Sequence, residues 1–199
     1  INLLINPGEK VGIVGRTGSG KSSFLLSLSR IMEAKEGKIL IDDVDIQTVD
    51  IDYLREKLSV VPQEPFIIES TLRDNIDPMK KYSDDEILAV LNDFGLFKGK
   101  KNILNIEIKE NGKNLSTGEK QLICFARTVL KNNKIIILDE ATSYLDEQTE
   151  KIIKKNMDKY FKEYTVIMVS HHIQMVKECD KIIVIEDGKI VEIGSHNTL

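Results

Sequence analysis

The octapeptide Gly15-Arg16-Thr17-Gly18-Ser19-Gly20-Lys21-Ser22 constrains this chain more than any other stretch, because it satisfies G-x-x-x-x-G-K-[ST] at every fixed position. Such a loop works only between a buried strand and the first turn of a helix. Lys10-Val11-Gly12-Ile13-Val14 reads as the strand, and Ser22 through Leu28, with apolar residues three and four apart, reads as the helix. Glycines let the backbone turn its N–H groups inward, the helix N-terminus adds partial positive charge, and Lys21 adds a full one. Gly15, Arg16, Thr17, Gly18, Ser19, Gly20, Lys21, Ser22 and Ser23 are therefore the expected cradle for the phosphates of a nucleotide, with the Ser22 hydroxyl placed to ligate Mg²⁺. A glycine-rich turn that matches by accident competes with this reading only while the loop is taken alone.

With 199 residues and 41% hydrophobic content, the chain is long enough for one well-buried domain carrying a small insert. Lys+Arg 28 against Asp+Glu 32 gives net charge −4, and no basic run is interleaved with aromatics, so nucleic acid is not expected as a partner. The longest apolar runs, such as Ile135-Ile136-Ile137-Leu138, are strand-length, far below the roughly 20 residues that span a bilayer. Cys124 and Cys179 sit in apolar helical patterns without metal-ligand spacing and read as reduced, packed thiols. The opening Ile1-Asn2-Leu3-Leu4-Ile5 reads as part of a strand, without a start methionine or leader, as expected for a piece of a longer protein.

Strands and helices alternate at both ends of the chain. The expected fold class is α/β: a phosphate-loop NTPase core with a mostly parallel sheet, an antiparallel β portion and an inserted helical subdomain. The core is expected over 1–69 and 119–199 and the helical subdomain over 70–118, where Ser83-Asp84-Asp85-Glu86 forms a capping box ahead of an amphipathic helix. Further strands are read at Gly37–Ile41, Leu58–Val61, Lys134–Leu138, Thr165–Val169 and Lys181–Glu186, the last closing a hairpin through Asp187-Gly188. Pro62-Gln63-Glu64-Pro65 makes a stiff loop. The apolar run ending in Asp139-Glu140 places two acids at the C-terminal end of a central strand, where nucleotides bind in open α/β sheets. Asp139 suits Mg²⁺, and Glu140 suits the water that attacks a γ-phosphate.

The phosphate loop, the Gln63 loop, Leu115-Ser116-Thr117-Gly118-Glu119, Asp139-Glu140, Tyr144-Leu145-Asp146 and His171 follow one another in the order found in ATP-binding cassette domains, which the whole chain resembles. The Leu115 to Glu119 segment, continuing through Lys120 to Arg127, resembles the cassette signature. Ser70-Thr71-Leu72-Arg73-Asp74-Asn75-Ile76-Asp77-Pro78 looks like the C-subfamily, the multidrug-resistance-associated exporters. The resemblance implies ATP and Mg²⁺ as cofactors, and a head-to-tail pair of cassettes in which Leu115, Ser116, Thr117, Gly118 and Glu119 contact the partner's ATP. It implies Gln63 as a Mg²⁺ ligand and γ-phosphate sensor, Glu64-Pro65-Phe66 as a face toward the transmembrane domains of the same transporter, and His171 as a γ-phosphate contact, with location at the cytoplasmic face of a membrane. It also implies adenine stacking on an aromatic upstream of the loop, and no aromatic precedes the loop in this chain.

Four positions depart from the family pattern. Thr117 and Glu119 replace the usual glycine and glutamine, which adds a side chain and a negative charge where phosphate approaches. A weakened signature beside an intact Glu140 resembles the second cassette of C-subfamily proteins. Tyr144 stands where a small residue is common, and His172 where a cation is usual; His172 is read as a surface imidazole. The expected function is an ATPase motor of an exporter. A cassette that gates a channel, or one that is not attached to a membrane domain, is the alternative.

Overall fold

Runs of β-branched residues buried on both faces set the frame, as parallel sheets require. The computed structural model of the chain describes residues 1–143, 145–170 and 173–198. In chain order its elements are β1 (Lys10–Val14), α1 (Lys21–Leu28), β2 (Leu40–Ile41), β3 (Val44–Asp45), α2 (Ile51–Lys57), β4 (Leu58–Val61), β5 (Ser70–Thr71), α3 (Leu72–Ile76), α4 (Asp84–Asp93), β6 (Glu107–Ile108), α5 (Thr117–Lys131), β7 (Ile135–Asp139), α6 (Glu147–Tyr160), β8 (Thr165–Val169), α7 (Ile173–Lys177), β9 (Lys181–Glu186) and β10 (Lys189–Gly194). The chain divides into two compact units, Ile1–Val60 with Asn133–Glu140 and Glu163–Leu199, and Val61–Asn132 with Ala141–Lys162.

The first unit is built on the sheet β10-β9-β1-β8-β7-β4. β1 runs parallel to both β8 and β9, and β7 runs parallel to β8, while β10 returns antiparallel to β9. Register decides where the chemistry falls. Ile13 lies opposite Val169 and Asp139 lies opposite the same Val169, so the exits of β1 and β7 are level at one end of the sheet. Val11, Ile13, Ile137, Ile167, Val169, Ile183 and Ile185 pack with Leu25 of α1 into one core.

Residues 1–5, read from the sequence as part of a strand, form no ladder. Leu3 and Ile5 still pack against the core, and Lys181 Nζ donates to the Leu4 carbonyl at 2.9 Å, so side chains rather than strand pairing hold this segment. Asp42 and Asp43, with φ of 50° and 64°, turn β2 straight back into β3, and the strand expected over Gly37–Ile41 shortens at its start because β3 ends at Asp45, where the chain enters a 3-10 turn over Ile46–Thr48.

In the second unit α3, α4 and α6 pack against α5. The capping box is present: Ser83 N–H donates to Glu86 Oε2 at 2.8 Å and Glu86 N–H to Ser83 Oγ at 3.3 Å. The stretch read as uniformly helical also contains an antiparallel pair, β5 with β6, in which Ser70 lies opposite Ile108. Both cysteines are buried, and burial pushes the Cys179 thiol up to about 12. Among the described residues no helix is long and apolar enough to cross a membrane.

Candidate functional site

The loop leaving β1 is folded on itself. Lys21 is buried, and its Nζ donates to the carbonyls of Gly15 and Arg16, both at 2.9 Å. Gly15 has φ of 155°, and a Cβ there would lie 2.2 Å from the Ile185 carbonyl oxygen and 2.8 Å from Ser19 Oγ, so no other residue fits. Gly20 caps α1 in the left-handed region at φ 105°, leaving the first N–H groups of the helix without a side-chain cap. Ser22 and Ser23 are exposed on the first turn of α1. Ser19 Oγ is buried without a hydrogen-bond partner. A buried hydroxyl lacking a partner, uncapped helix N–H groups, a folded-back ammonium and a glycine cradle together match the donor set of a polyphosphate site.

Asp139 ends β7 at the level where β1 gives way to the loop. Burial holds its carboxyl above the usual carboxylate range and the neighbouring Glu140 charge adds to the rise, while Lys21 pulls the other way. Lys21 and the acid pair are thus within electrostatic reach of one another, in the first unit. Glu140 is a backbone outlier at φ 47°, pinned by its own N–H, which donates to the Val169 carbonyl at 2.9 Å. A non-glycine residue in the left-handed region costs of order 1–3 kcal/mol, and such strain collects at functional sites. A half-buried acid pair with a lysine beside Asp139 can hold a cation and position a water.

The second unit carries the other expected residues. Gln63 and Pro65 are half-buried in the loop after β4, and Phe66 beside them is 73% exposed. The signature segment is the start of α5 itself. Leu115 is buried, Ser116 is the N-cap, and Thr117 is exposed on the first turn. Ser116 N–H donates to Glu119 Oε2 at 2.8 Å and Glu119 N–H to Ser116 Oγ at 3.1 Å, so Glu119 places its carboxylate on the N-terminus of its own helix. A Cβ at Gly118 would meet Thr149 Oγ1 at 2.9 Å. Thr149 is itself tied to Asp146, the N-cap of α6, by Oγ1–H to Oδ2 at 2.7 Å. The structure thus brings Lys21, Asp139 and Glu140 together in one unit and Gln63 and the signature residues in the other. His171, His172 and Tyr144 lie outside the described residues.

Two contributors escaped the sequence reading. Thr149 explains why position 118 is glycine, and nothing in its local sequence signals that. Gln121 is 2% exposed on α5 and donates from Nε2 to the carbonyls of Pro62 at 3.2 Å and Gln63 at 2.9 Å. Its signal was present as a polar residue inside an otherwise apolar helix face.

Glycine loop and acid pair, set by register at one end of a single parallel sheet, make the first unit a phosphate-loop nucleotide-binding fold. Within that class the chain belongs to the ABC transporter family, whose family model matches residues 1–143. It is similar over its whole length to ATP-binding cassette sub-family C member 2 of Rattus norvegicus, at 44% identity. It is also similar to two proteins of Saccharomyces cerevisiae, Metal resistance protein YCF1 and Bile pigment transporter 1, each 41% identical across all of this chain. The chain spans 13% of the rat relative and 13% and 14% of the two yeast relatives.

Proposed function

We propose that this chain is the ATP-binding and ATP-hydrolysing motor cassette of a C-subfamily exporter, most closely patterned on a second cassette. It acts at the cytoplasmic face of a membrane, paired head to tail with another cassette and attached to transmembrane domains. The observation that carries the reading is the convergence of Lys21, Asp139 and Glu140 at the loop end of one sheet. The family membership and the sub-family C relatives support the transporter setting.

In this reading the loop N–H groups, Ser19 Oγ and Lys21 bind the ATP phosphates, and Lys21 exchanges its two loop carbonyls for phosphate oxygens. Ser22 and Asp139 would hold Mg²⁺, and Gln63 keeps the role the resemblance implies, that of a Mg²⁺ ligand. Held there, Mg²⁺ would supply neutralisation of the phosphate charge. Glu140 orients the attacking water and accepts its proton as the γ-phosphate departs from ADP. His171 contacts the γ-phosphate. Leu115, Ser116, Thr117, Gly118 and Glu119 face the partner cassette's ATP, a site weakened by the Glu119 carboxylate. The exposed Phe66 faces the transmembrane domains.

The test is Glu140→Gln in the full-length transporter in proteoliposomes. Turnover is expected to fall by roughly 10²- to 10⁴-fold with ATP affinity retained, since removing a base spares the ground state. Unchanged turnover removes Glu140 from the catalytic role.

A further inference from the structure

Helix α5 begins at the signature, yet its polar side chains, buried Gln121 and half-buried Arg127, reach the loop after β4. Gln121 Nε2 donates to the carbonyls of both Pro62 and Gln63. Two turns further on, Arg127 Nε donates to the Asn75 carbonyl and Nη1 to the Phe66 carbonyl at 2.7 Å. Asn75, 1% exposed, completes the hold: its Nδ2 donates to the carbonyls of Ile68 and Thr71, both at 3.0 Å, and its Oδ1 accepts from Ile68 N–H at 3.0 Å. The backbone from Pro62 to Ile68 is therefore tied to α5 directly or through one side chain. All these residues belong to the second unit.

We infer that Gln121 is a positioning residue for Gln63: through its two carbonyl bonds α5 sets where the Gln63 side chain stands, so the signature helix and the Gln63 loop act as one piece. Packing alone does not require an amide here. A leucine would fill the same buried volume, and Gln121 Oε1 is a buried acceptor without a partner, a cost that an apolar residue avoids. What the amide supplies is two N–H donors aimed at two adjacent carbonyls. The inference rests on the proposed role of Gln63 as a Mg²⁺ ligand; groups that orient a metal ligand typically alter metal affinity or activity by roughly 10- to 100-fold when removed.

The experiment is a double-mutant cycle in the full-length transporter. Gln63→Ala, Gln121→Met and the pair are compared for the Mg²⁺ concentration giving half-maximal ATPase and for Mg²⁺-free ATP binding. Both single changes are expected to raise the Mg²⁺ requirement by roughly tenfold, to leave Mg²⁺-free binding unchanged, and to combine without adding. A shift from Gln63→Ala alone, or additive shifts, overturns the inference and leaves Gln63 its role. No shift from Gln63→Ala overturns both. Gln121→Glu, which has no N–H to donate, carries the same expectation if Gln121→Met does not assemble. Hydrogen exchange on the unmodified transporter gives a readout free of any variant. Residues 63–68 and 117–128 are expected to change protection together on adding ATP and Mg²⁺, and independent changes overturn the inference.

Discussion

At Gly118 two opposing effects of similar kind can be weighed. Alanine in a helix is favoured over glycine by roughly 0.5–1 kcal/mol. Against this, the new methyl would sit 2.9 Å from Thr149 Oγ1, which cannot swing away because it is bonded to Asp146. Overpacking of that sort costs about 1–3 kcal/mol, so Gly118→Ala is expected to lower the melting temperature. Adding Thr149→Ala is expected to recover part of the loss, and calorimetric melts of both variants check it. Asp139 gives a pH dependence. Its folded carboxyl titrates above the unfolded value of about 3.9 because of burial and Glu140. The folded state therefore holds the proton more tightly, stability falls as pH rises through the folded value, and the deficit is complete above it. Asp139→Asn is expected to melt higher than the unmodified chain at pH 7, with the advantage vanishing as pH falls below the carboxylate range. A constant advantage across that range contradicts the assignment. Lys21 serves two ends, since its ammonium also ties together the carbonyls that shape the loop. Loss of binding on replacing it reports lost order as well as lost charge.

Elements with strong local signals were legible. The Ser83 capping box, the alternating βα pattern and the hairpin at Asp187-Gly188 all stand where the residues placed them. The pair β5/β6 was not legible, because two-residue strands have no periodicity and the partner lies far along the chain. The start of α5 is legible too, since Ser116 and Glu119 spell a capping box. The acid pair and the phosphate loop were legible because each is contiguous; the hold of Gln121 on Gln63 was not, because it joins distant segments. The self-capped N-terminus of α5 carries its own consequence. A carboxylate near a helix start interacts favourably by about 0.3–1 kcal/mol, and it occupies the field that would otherwise draw an anion. Glu119→Gln keeps an oxygen for the Ser116 N–H while removing the charge. In the assembled transporter it is expected to tighten ATP binding at the site this signature faces by roughly 2- to 5-fold. Equilibrium binding at matched ionic strength measures it, and unchanged affinity removes Glu119 from that site.

For the chain as a whole, phosphate and base recognition separate. The first aromatic is Phe24, and it packs against the core of the first unit. With no aromatic ahead of the loop, the 199-residue chain is expected to hold phosphates but to grip adenine loosely. Base stacking on an aromatic is worth roughly 1–3 kcal/mol, about 5- to 150-fold in affinity. Titration calorimetry is expected to show weak, Mg²⁺-dependent binding with little preference between ATP and GTP; tight adenine-selective binding would show that another residue supplies the platform. The sheet order sets a timetable as well. Lys10 lies opposite Val166 and Val11 opposite Lys181, so the strand that carries the phosphate loop gains both neighbours only from the last part of the chain. The loop is therefore seated only after β8 and β9 are in place, since non-local pairing waits on loop closure. Damage to β8 or β9, remote in sequence from the phosphate loop, therefore reaches that loop before the finished protein ever meets its ligand.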